Sequence, residues 1–528
     1  MIQLRDYQQK GVNDIRKFFA KGGHHLLFQS PTGSGKTVIF SYIAQNSALK
    51  NKNVSILTNR IELLTQTGGT LKEFGVKPFL ITAGTKFISK SSVYVAMSQT
   101  LRNRLKLRLW LDWLQTIDLV IIDEAHLQDF NFIFEHLKKK FVIGFSATPL
   151  RSGKQRQLGL DYEQIIETVS VQGLIDKGYL VTDDYFGYSG VDLNGIKYDA
   201  KKGDYAENDM FQRFNSPKLY AGVVKNWNEV AKDTQTICFC VNIEHTIRTC
   251  EEFRNNGIDA RFIVSKMSMP KYPKEATQGN LSRYNERMKL YNLYIEKSKL
   301  WSGERKQLID DFKNNKFKVL INAGILTTGF DAKNIQTIIV NRATLSKSLW
   351  LQMLGRGSRV LDGKTHFNIL DFGDNASRLG HYTAPQSWNL WHEESKKTDG
   401  IAPVKECGYD NNGKQIKGKY ENKKGCERLI HASYNICPFC GFVYPEKKIS
   451  EIDLIPVMYN ETLHKAVAVK KISQMTITEL VEYQKLKKHK QAWLWRQLHY
   501  RNELENYAKL MQWKKGTLEK AKNYCKNL

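Results

Sequence analysis

The stretch "QSPTGSGKT" at residues 29–37 constrains the fold more than any other feature of the chain. The apolar run before it, "HHLLFQS", suits a buried strand, and "KTVIFSYIAQNSAL" after it has the apolar spacing of a helix. A strand, a glycine-containing loop and a helix in that order make a phosphate-binding turn. Gly33 and Gly35 let backbone N–H groups wrap an anion, and the helix N-terminus adds partial positive charge. The strict pattern G-x-x-x-x-G-K-[ST] would have glycine where this chain has Ser30. A small serine fits the same slot. The expected phosphate cradle is therefore Ser30, Pro31, Thr32, Gly33, Ser34 and Gly35, with Lys36 on the β- and γ-phosphates of ATP and Thr37 on Mg²⁺.

Two further motifs say what such a loop would serve. The apolar run "DLVIID" delivers Asp123 and Glu124 within "DEAH", 87 residues after Lys36. Asp123 is expected to hold Mg²⁺, directly or through water, and Glu124 to polarise the attacking water. Near residue 355 comes "LQMLGRGSR", in which Gln352, Arg356 and Arg359 follow at spacings of four and three and are expected to share a helical face. The fixed fork of arginine suits developing phosphate charge. Arginines delivered by a second lobe would make hydrolysis depend on closure of the two lobes.

The strand pattern supplies those lobes. Short apolar runs at "HHLLFQS", "NVSILTN", "SVYVAMS", "DLVIIDE" and "KFVIGFSAT", then at "TQTICFCV", "DARFIVS", "KVLINAG", "TIIVNRA" and "HFNILDF", alternate with helical lengths. They predict an α/β chain with two tandem doubly wound parallel-sheet domains. Lys and Arg outnumber Asp and Glu by 80 to 53, a net charge of +27 that suits a polyanionic partner. Eight cysteines in 528 residues do not form a disulfide framework. With neither an apolar run of membrane-spanning length nor a signal-like h-region, the expectation is a cytoplasmic protein with no membrane partner, and a monomer.

The ordered set "LRDYQ", "SPTGSGKT", "ILTNRIELL", "VYVAMSQT", "IIDEAH", "GFSATP", "INAGILTTGFD" and "LQMLGRGSR" resembles the motifs of superfamily 2 helicases and translocases over about residues 1–385. The likeness is to the DEAH-type branch of restriction-enzyme motor subunits and phage-encoded DNA helicases, and it implies that the two tandem doubly wound domains are RecA-like. It implies that Gln8 reads adenine with Tyr7 packed nearby, that Gly329 and Asp331 touch the nucleotide, and that Ser146 and Thr148 couple hydrolysis to lobe movement. It also implies that Thr58, Arg60, Gln99 and Thr100 in lobe 1, with Asn242 and Thr328 in lobe 2, contact one strand's backbone. A threonine at such a place also serves as an ordinary strand-end cap.

Boundaries follow: lobe 1 over 1–180, lobe 2 over 181–395, a metal module over 396–449 and a helical region over 450–528. Residues 266–302 interrupt lobe 2 with eight Lys or Arg, three acids and Tyr272, Tyr284, Tyr291, Tyr294 and Trp301. Cations among aromatics suit nucleic acid, and the tyrosine spacing equally suits packing. Cys407, Cys426, Cys437 and Cys440 form a candidate Zn²⁺ site of four thiolates, with His431 a rival ligand because 18 residues separate the first pair. Cys238, Cys240 and Cys250 read as core. The tail, with Trp493, Trp495 and Trp513, fits nucleic acid or a protein partner. The expected function is an ATP-dependent DNA helicase or translocase on forked or branched DNA. The alternatives are an RNA helicase with the same motor and a non-hydrolysing loading factor; little chain is left over for a nuclease.

Overall fold

The computed structural model describes residues 3–391 except 152–154, 190, 274, 276 and 328. Beyond 391 it describes 404–408, 415, 424–426, 429–431, 440, 442–443, 455–457, 477, 480, 484, 491–500, 504–510 and 515–526.

Seven parallel strands form the first sheet: β1 (His25–Gln29), β2 (Val54–Thr58), β3 (Phe79–Ile81), β4 (Val93–Met97), β5 (Leu119–Asp123), β6 (Phe141–Ser146) and β7 (Gln164–Glu167). Their order is β3-β4-β2-β5-β6-β1-β7. Parallel strands need crossovers, and helices cover both faces. Strand β5 shows it in sequence: Leu119 and Ile121 enter one core layer, while Val120 and Ile122 enter the other. Each such side chain, fully buried, stabilises by about 1.5–3 kcal/mol.

The second sheet begins with β8 (Thr182–Ser189). After a small hairpin of β9 (Tyr198–Asp199) and β10 (Asp204–Tyr205) come β11 (Thr236–Cys240), β12 (Ala260–Ile263), β13 (Val319–Asn322), β14 (Thr337–Asn341) and β15 (His366–Asp371). Two short paired strands, β16 (Val404–Glu406) and β17 (Leu429–His431), precede β18 (Ile455–Val457). The sheet order is β12-β13-β11-β14-β15-β8-β18, with only β18 antiparallel. Cys238, Cys240 and Cys250 lie in this core, as the sequence suggests.

The chain forms two compact units. Residues 1–379 and 388–457 hold both sheets, and 380–387 with 458–528 form the other. In the second unit three helices, Gln491–Tyr500, Leu504–Leu510 and Lys515–Lys526, bury Leu494, Leu498, Leu504, Tyr507 and Ala521. Trp495 is half-buried, and Trp513 lies outside the described residues.

The insert's C-terminal two thirds form one helix, Gln278–Trp301, in which no residue is fully buried. Leu293, Tyr294 and Trp301 pack on the lobe 2 core, and Lys297 Nζ pairs with Glu251 at 2.8 Å. Tyr284 instead meets Tyr272, ring centres 5.2 Å apart. Packing therefore accounts for the C-terminal half of this helix.

Candidate functional site

The phosphate loop joins β1 to the helix Lys36–Ala48, with Gly33 at φ +85° and Gly35 at +81°. Both glycines are needed twice over. A Cβ on Gly33 would come 2.7 Å from Leu180 Cδ2, and one on Gly35 would come 2.7 Å from Gln8 Nε2. Ser30 is buried and its Oγ donates to Ser34 Oγ at 2.7 Å, so the serine in the first slot helps hold the turn. Ser34 Oγ donates to Pro31 O at 2.7 Å. Lys36 Nζ donates to Ser30 O at 3.3 Å. Thr37, at the start of the helix, follows directly.

Tyr7 Oη and Gln8 Nε2 both donate to Ser34 O, at 2.6 and 2.9 Å. The helix Asp6–Ala20 thus braces the loop from outside, whatever else Gln8 recognises.

At the end of β5, Asp123 and Glu124 are buried beside Lys36. Burial pushes the Asp123 carboxyl up, and neighbouring Glu124 pushes it further, against the opposing pull of Lys36. Burial lowers the Lys36 ammonium, and the two carboxylates partly restore it. Glu124 has φ +52°, a left-handed conformation that strains a residue with a Cβ. Arg151, buried, holds the loop that follows. Its guanidinium donates to the carbonyls of His126 (2.7 Å), Leu127 (3.1 Å) and Ala125 (3.5 Å). Oε2 of Glu124 is buried and accepts no hydrogen bond among the described residues, with His126 Nδ1 3.5 Å away.

His126 connects this loop to the other lobe. Burial lowers its pKa, so the ring is neutral. Gln352 Nε2 lies 3.3 Å from His126 Nε2 and must donate to it, which leaves the ring proton on Nδ1, 2.9 Å from Ser146 Oγ. Thr148 Oγ1 crosses the same boundary to Ser348 Oγ at 2.5 Å. His126 closes the "DEAH" motif but the sequence alone assigns it no role, and Arg151, just after "GFSATP", carries no signal until its partners are known.

The expected helical face of Gln352, Arg356 and Arg359 is corrected. The helix Lys347–Leu354 stops before both arginines, and Arg359 forms an antiparallel bridge with Leu180. At the stop the glycines permit close approach: a Cβ on Gly355 would be 2.7 Å from Thr32 Cβ, and one on Gly357 would be 2.2 Å from Phe367 Cδ2. Arg356 is buried and donates to Thr327 O (2.6 Å) and Phe330 O (2.7 Å). Arg359 pairs with Asp331. Both arginines still lie close enough to oppose the charge of Lys36. Gly329, at φ +73°, faces Leu63 of lobe 1.

Among the candidate strand contacts, Thr58 is buried at the end of β2, and Arg60 Nη1 donates to Ile325 O of lobe 2 at 2.9 Å. Gln99 is exposed and Thr100 half-buried on the helix Ser98–Arg104. Asn242 caps the helix Ile243–Asn255, its Oδ1 accepting from His245 N. Thr328 lies outside the described residues.

The sulfurs of Cys407, Cys426 and Cys440 lie within 4.8 Å of one another. Gly408 and Gly425 let two turns meet, since a Cβ on Gly425 would be 2.3 Å from the Cys407 backbone. Burial raises the Cys440 thiol, but hydrogen bonds from the Phe442 backbone and from Cys407 outweigh it and bring it to about 7. Cys437 lies outside the described residues, and His431 falls on β17.

Comparison with known proteins agrees with this geometry. Residues 1–151 match the family "Type III restriction enzyme, res subunit", and residues 216–374 match "Type I restriction enzyme subunit R domain 3". The chain is thus similar to superfamily 2 motors related to the restriction-enzyme motor subunits. "Putative ATP-dependent helicase IRC3" of Saccharomyces cerevisiae is 30% identical to this chain over 405 residues, 72% of the chain and 53% of the relative. "Putative mitochondrial ATP-dependent helicase irc3" of Schizosaccharomyces pombe is 28% identical over 415 residues, 74% of the chain and 61% of the relative. The chain thus spans less than two thirds of either relative. A fragment of an HsdR subunit of a type I restriction enzyme from Vibrio vulnificus shares the fold, with a TM-score of 0.51 and 22% identity over 71% of this chain and 65% of that one.

Proposed function

We propose that this chain is an ATP-dependent DNA translocase or helicase that couples hydrolysis between two lobes to movement along one strand. The observation that carries the reading is the contact from Gln352 of lobe 2 to His126, two residues after Glu124. A carboxylate that activates water is thereby tied to the position of the opposite lobe. Lys36 and the backbone N–H groups of residues 33–37 bind the phosphates. Glu124 orients water and receives its proton. Arg356 and Arg359 are brought to the phosphates by lobe 2, exchanging carbonyl and Asp331 partners for substrate oxygens. Ser146 and Thr148 sense closure through His126 and Ser348. Asp123 and Thr37 would hold Mg²⁺, which supplies Lewis-acid charge to the phosphates when bound.

The boundaries at 180, 395 and 449 are proposed as functional divisions, with both lobes forming the motor. The cysteines fit Zn²⁺: the three described sulfurs converge, and the hydrogen bonds that lower the Cys440 thiol favour the thiolate that a tetrahedral ion needs. Thr58, Arg60, Gln99, Thr100, Asn242 and Thr328 are proposed to line the strand's path. Among the described residues no helix is long and apolar enough to cross a membrane.

Comparing ATP hydrolysis with single-stranded, duplex and forked DNA and with RNA tests the reading. DNA should stimulate most. Stimulation by RNA alone would make this an RNA motor, and no hydrolysis with any polymer would leave a loading factor.

A further inference from the structure

The stretch from Phe74 to Leu111 contains no aspartate or glutamate, yet it carries Lys77, Lys86, Lys90, Arg102, Arg104, Lys106 and Arg108. Residues 15–61 of the same lobe also lack acids and also carry seven cations, so composition alone does not single out this stretch, and its structure must. The stretch contains the loop between β3 and β4, the helix Ser98–Arg104 and the turn after it.

The β3–β4 loop is a built structure that presents one aromatic side chain. Arg104 Nη2 donates to Thr85 O at 3.0 Å and to Ala83 O at 3.4 Å, fixing the loop to the end of the neighbouring helix. Thr82 N donates to Thr85 Oγ1 at 2.9 Å, and Thr85 N to Thr82 O at 3.0 Å, which closes a turn. Ile88 packs against the lobe 1 core. Its neighbour Phe87 points outward and is 70% exposed, with Lys86 and Lys90 exposed on either side. A phenyl ring held that far out of a folded core, between two cations, suits a partner that is both planar and anionic.

The place on the sheet fits. All strands of this sheet are parallel, so the start of the loop at the end of β3 lies at the same sheet edge as Thr58 at the end of β2 and the helix carrying Gln99 and Thr100 after β4. Arg102 and Lys106, both exposed, continue the basic surface from that helix.

We propose that this loop is a further single-strand contact: Phe87 stacks on a base, and Lys86, Lys90, Arg102 and Lys106 neutralise the flanking phosphates. The proposal rests on the nucleic-acid motor reading above. It adds to the backbone contacts a place where a base is gripped by its face, a sequence-independent grip because every base has one.

The test uses the full chain, a fluorescent oligothymidylate and a 2-aminopurine-labelled strand. Phe87→Ala should weaken oligothymidylate binding about tenfold, with basal ATPase and melting temperature unchanged, and should abolish the part of the 2-aminopurine quenching that stacking causes. Phe87→Trp should retain binding. Lys86→Ala with Lys90→Ala should lower the slope of log affinity on log salt by about 1.4, the value for two phosphates on a single strand. Unchanged affinity, quenching and slope in these variants, with the wild type binding DNA normally, would overturn the proposal and leave the motor reading standing. If Phe87→Ala instead abolished a stable protein complex and spared DNA binding, the surface would be a protein interface and the proposal would likewise fall. A wild type that binds no strand at all would overturn the motor reading itself.

Discussion

The side-chain amide of Gln352 reaches across the lobe boundary to within 3.3 Å of His126 Nε2. The same ring contacts Ser146 and stands 3.5 Å from Glu124 Oε2, so one neutral imidazole links lobe 2, the strand end of β6 and the carboxylate proposed to activate water. Gln352→Ala should therefore lower DNA-stimulated kcat by about 10–100-fold while leaving nucleotide affinity within a factor of about three. His126→Ala should match it, and the double variant should be no worse than either single one, because both remove one link. Steady-state ATPase and binding of a fluorescent ATP analogue measure this. Additive losses would show two separate roles.

Lys36→Ala and Glu124→Gln should separate binding from turnover. The lysine variant should lose nucleotide affinity, because its charge contacts the phosphates in ground and transition states alike. The glutamine variant should bind ATP normally and lose about 10²–10⁴-fold in kcat. Equilibrium nucleotide binding beside single-turnover hydrolysis reads both.

Gly355 is a steric gauge of lobe approach. Its φ is −61°, which alanine accepts without strain, so the 2.7 Å contact with Thr32 Cβ is what a new methyl would meet. Gly355→Ala should lower ATPase about tenfold with little change in melting temperature, since the obstacle arises only where lobe 2 meets the phosphate loop. Adding Thr32→Gly should recover much of the loss. Failure to recover would place the defect inside lobe 2.

Cys440→Ser should lose bound zinc as read by metal analysis of protein purified without chelator. The region 404–443 should become protease-sensitive, while lobe 1 still binds nucleotide, because structural zinc contributes local folding energy. Metal-free wild-type protein would remove the assignment.

His245, buried in lobe 2, has its pKa lowered to about 3 by burial, with a smaller push from Arg342. A base depressed in the folded state stabilises the fold above its unfolded pKa of about 6.5 and loses that contribution as pH falls toward the folded value. Near pH 5 the loss from this group is about 2 kcal/mol. Urea melts of lobe 2 fluorescence at pH 7 and pH 5 should show it, and His245→Gln should flatten the difference.

The sequence by itself determined the pieces whose signals are local. The phosphate loop, the apolar strands on either side of each motif and the cysteine core of lobe 2 were legible because glycine spacing, burial on both faces and periodicity act within a few residues. Strands β3, β7, β8 and β18 were not legible. They lie at or next to sheet edges, with mixed composition, and become strands only because a neighbour offers a ladder. The same limit applied to the site. Three residues at spacings of four and three look like one helical face, but the helix ends at Leu354, and Gly355 and Gly357 then approach Thr32 and Phe367, partners 323 and 10 residues away. His126, Arg151, Ser348 and Phe87 acquired meaning only from what surrounds them. Motif chemistry is carried along the chain, whereas the contacts that join one lobe to the other, such as His126 to Gln352 and Thr148 to Ser348, link residues hundreds of positions apart, which only the tertiary structure could decide.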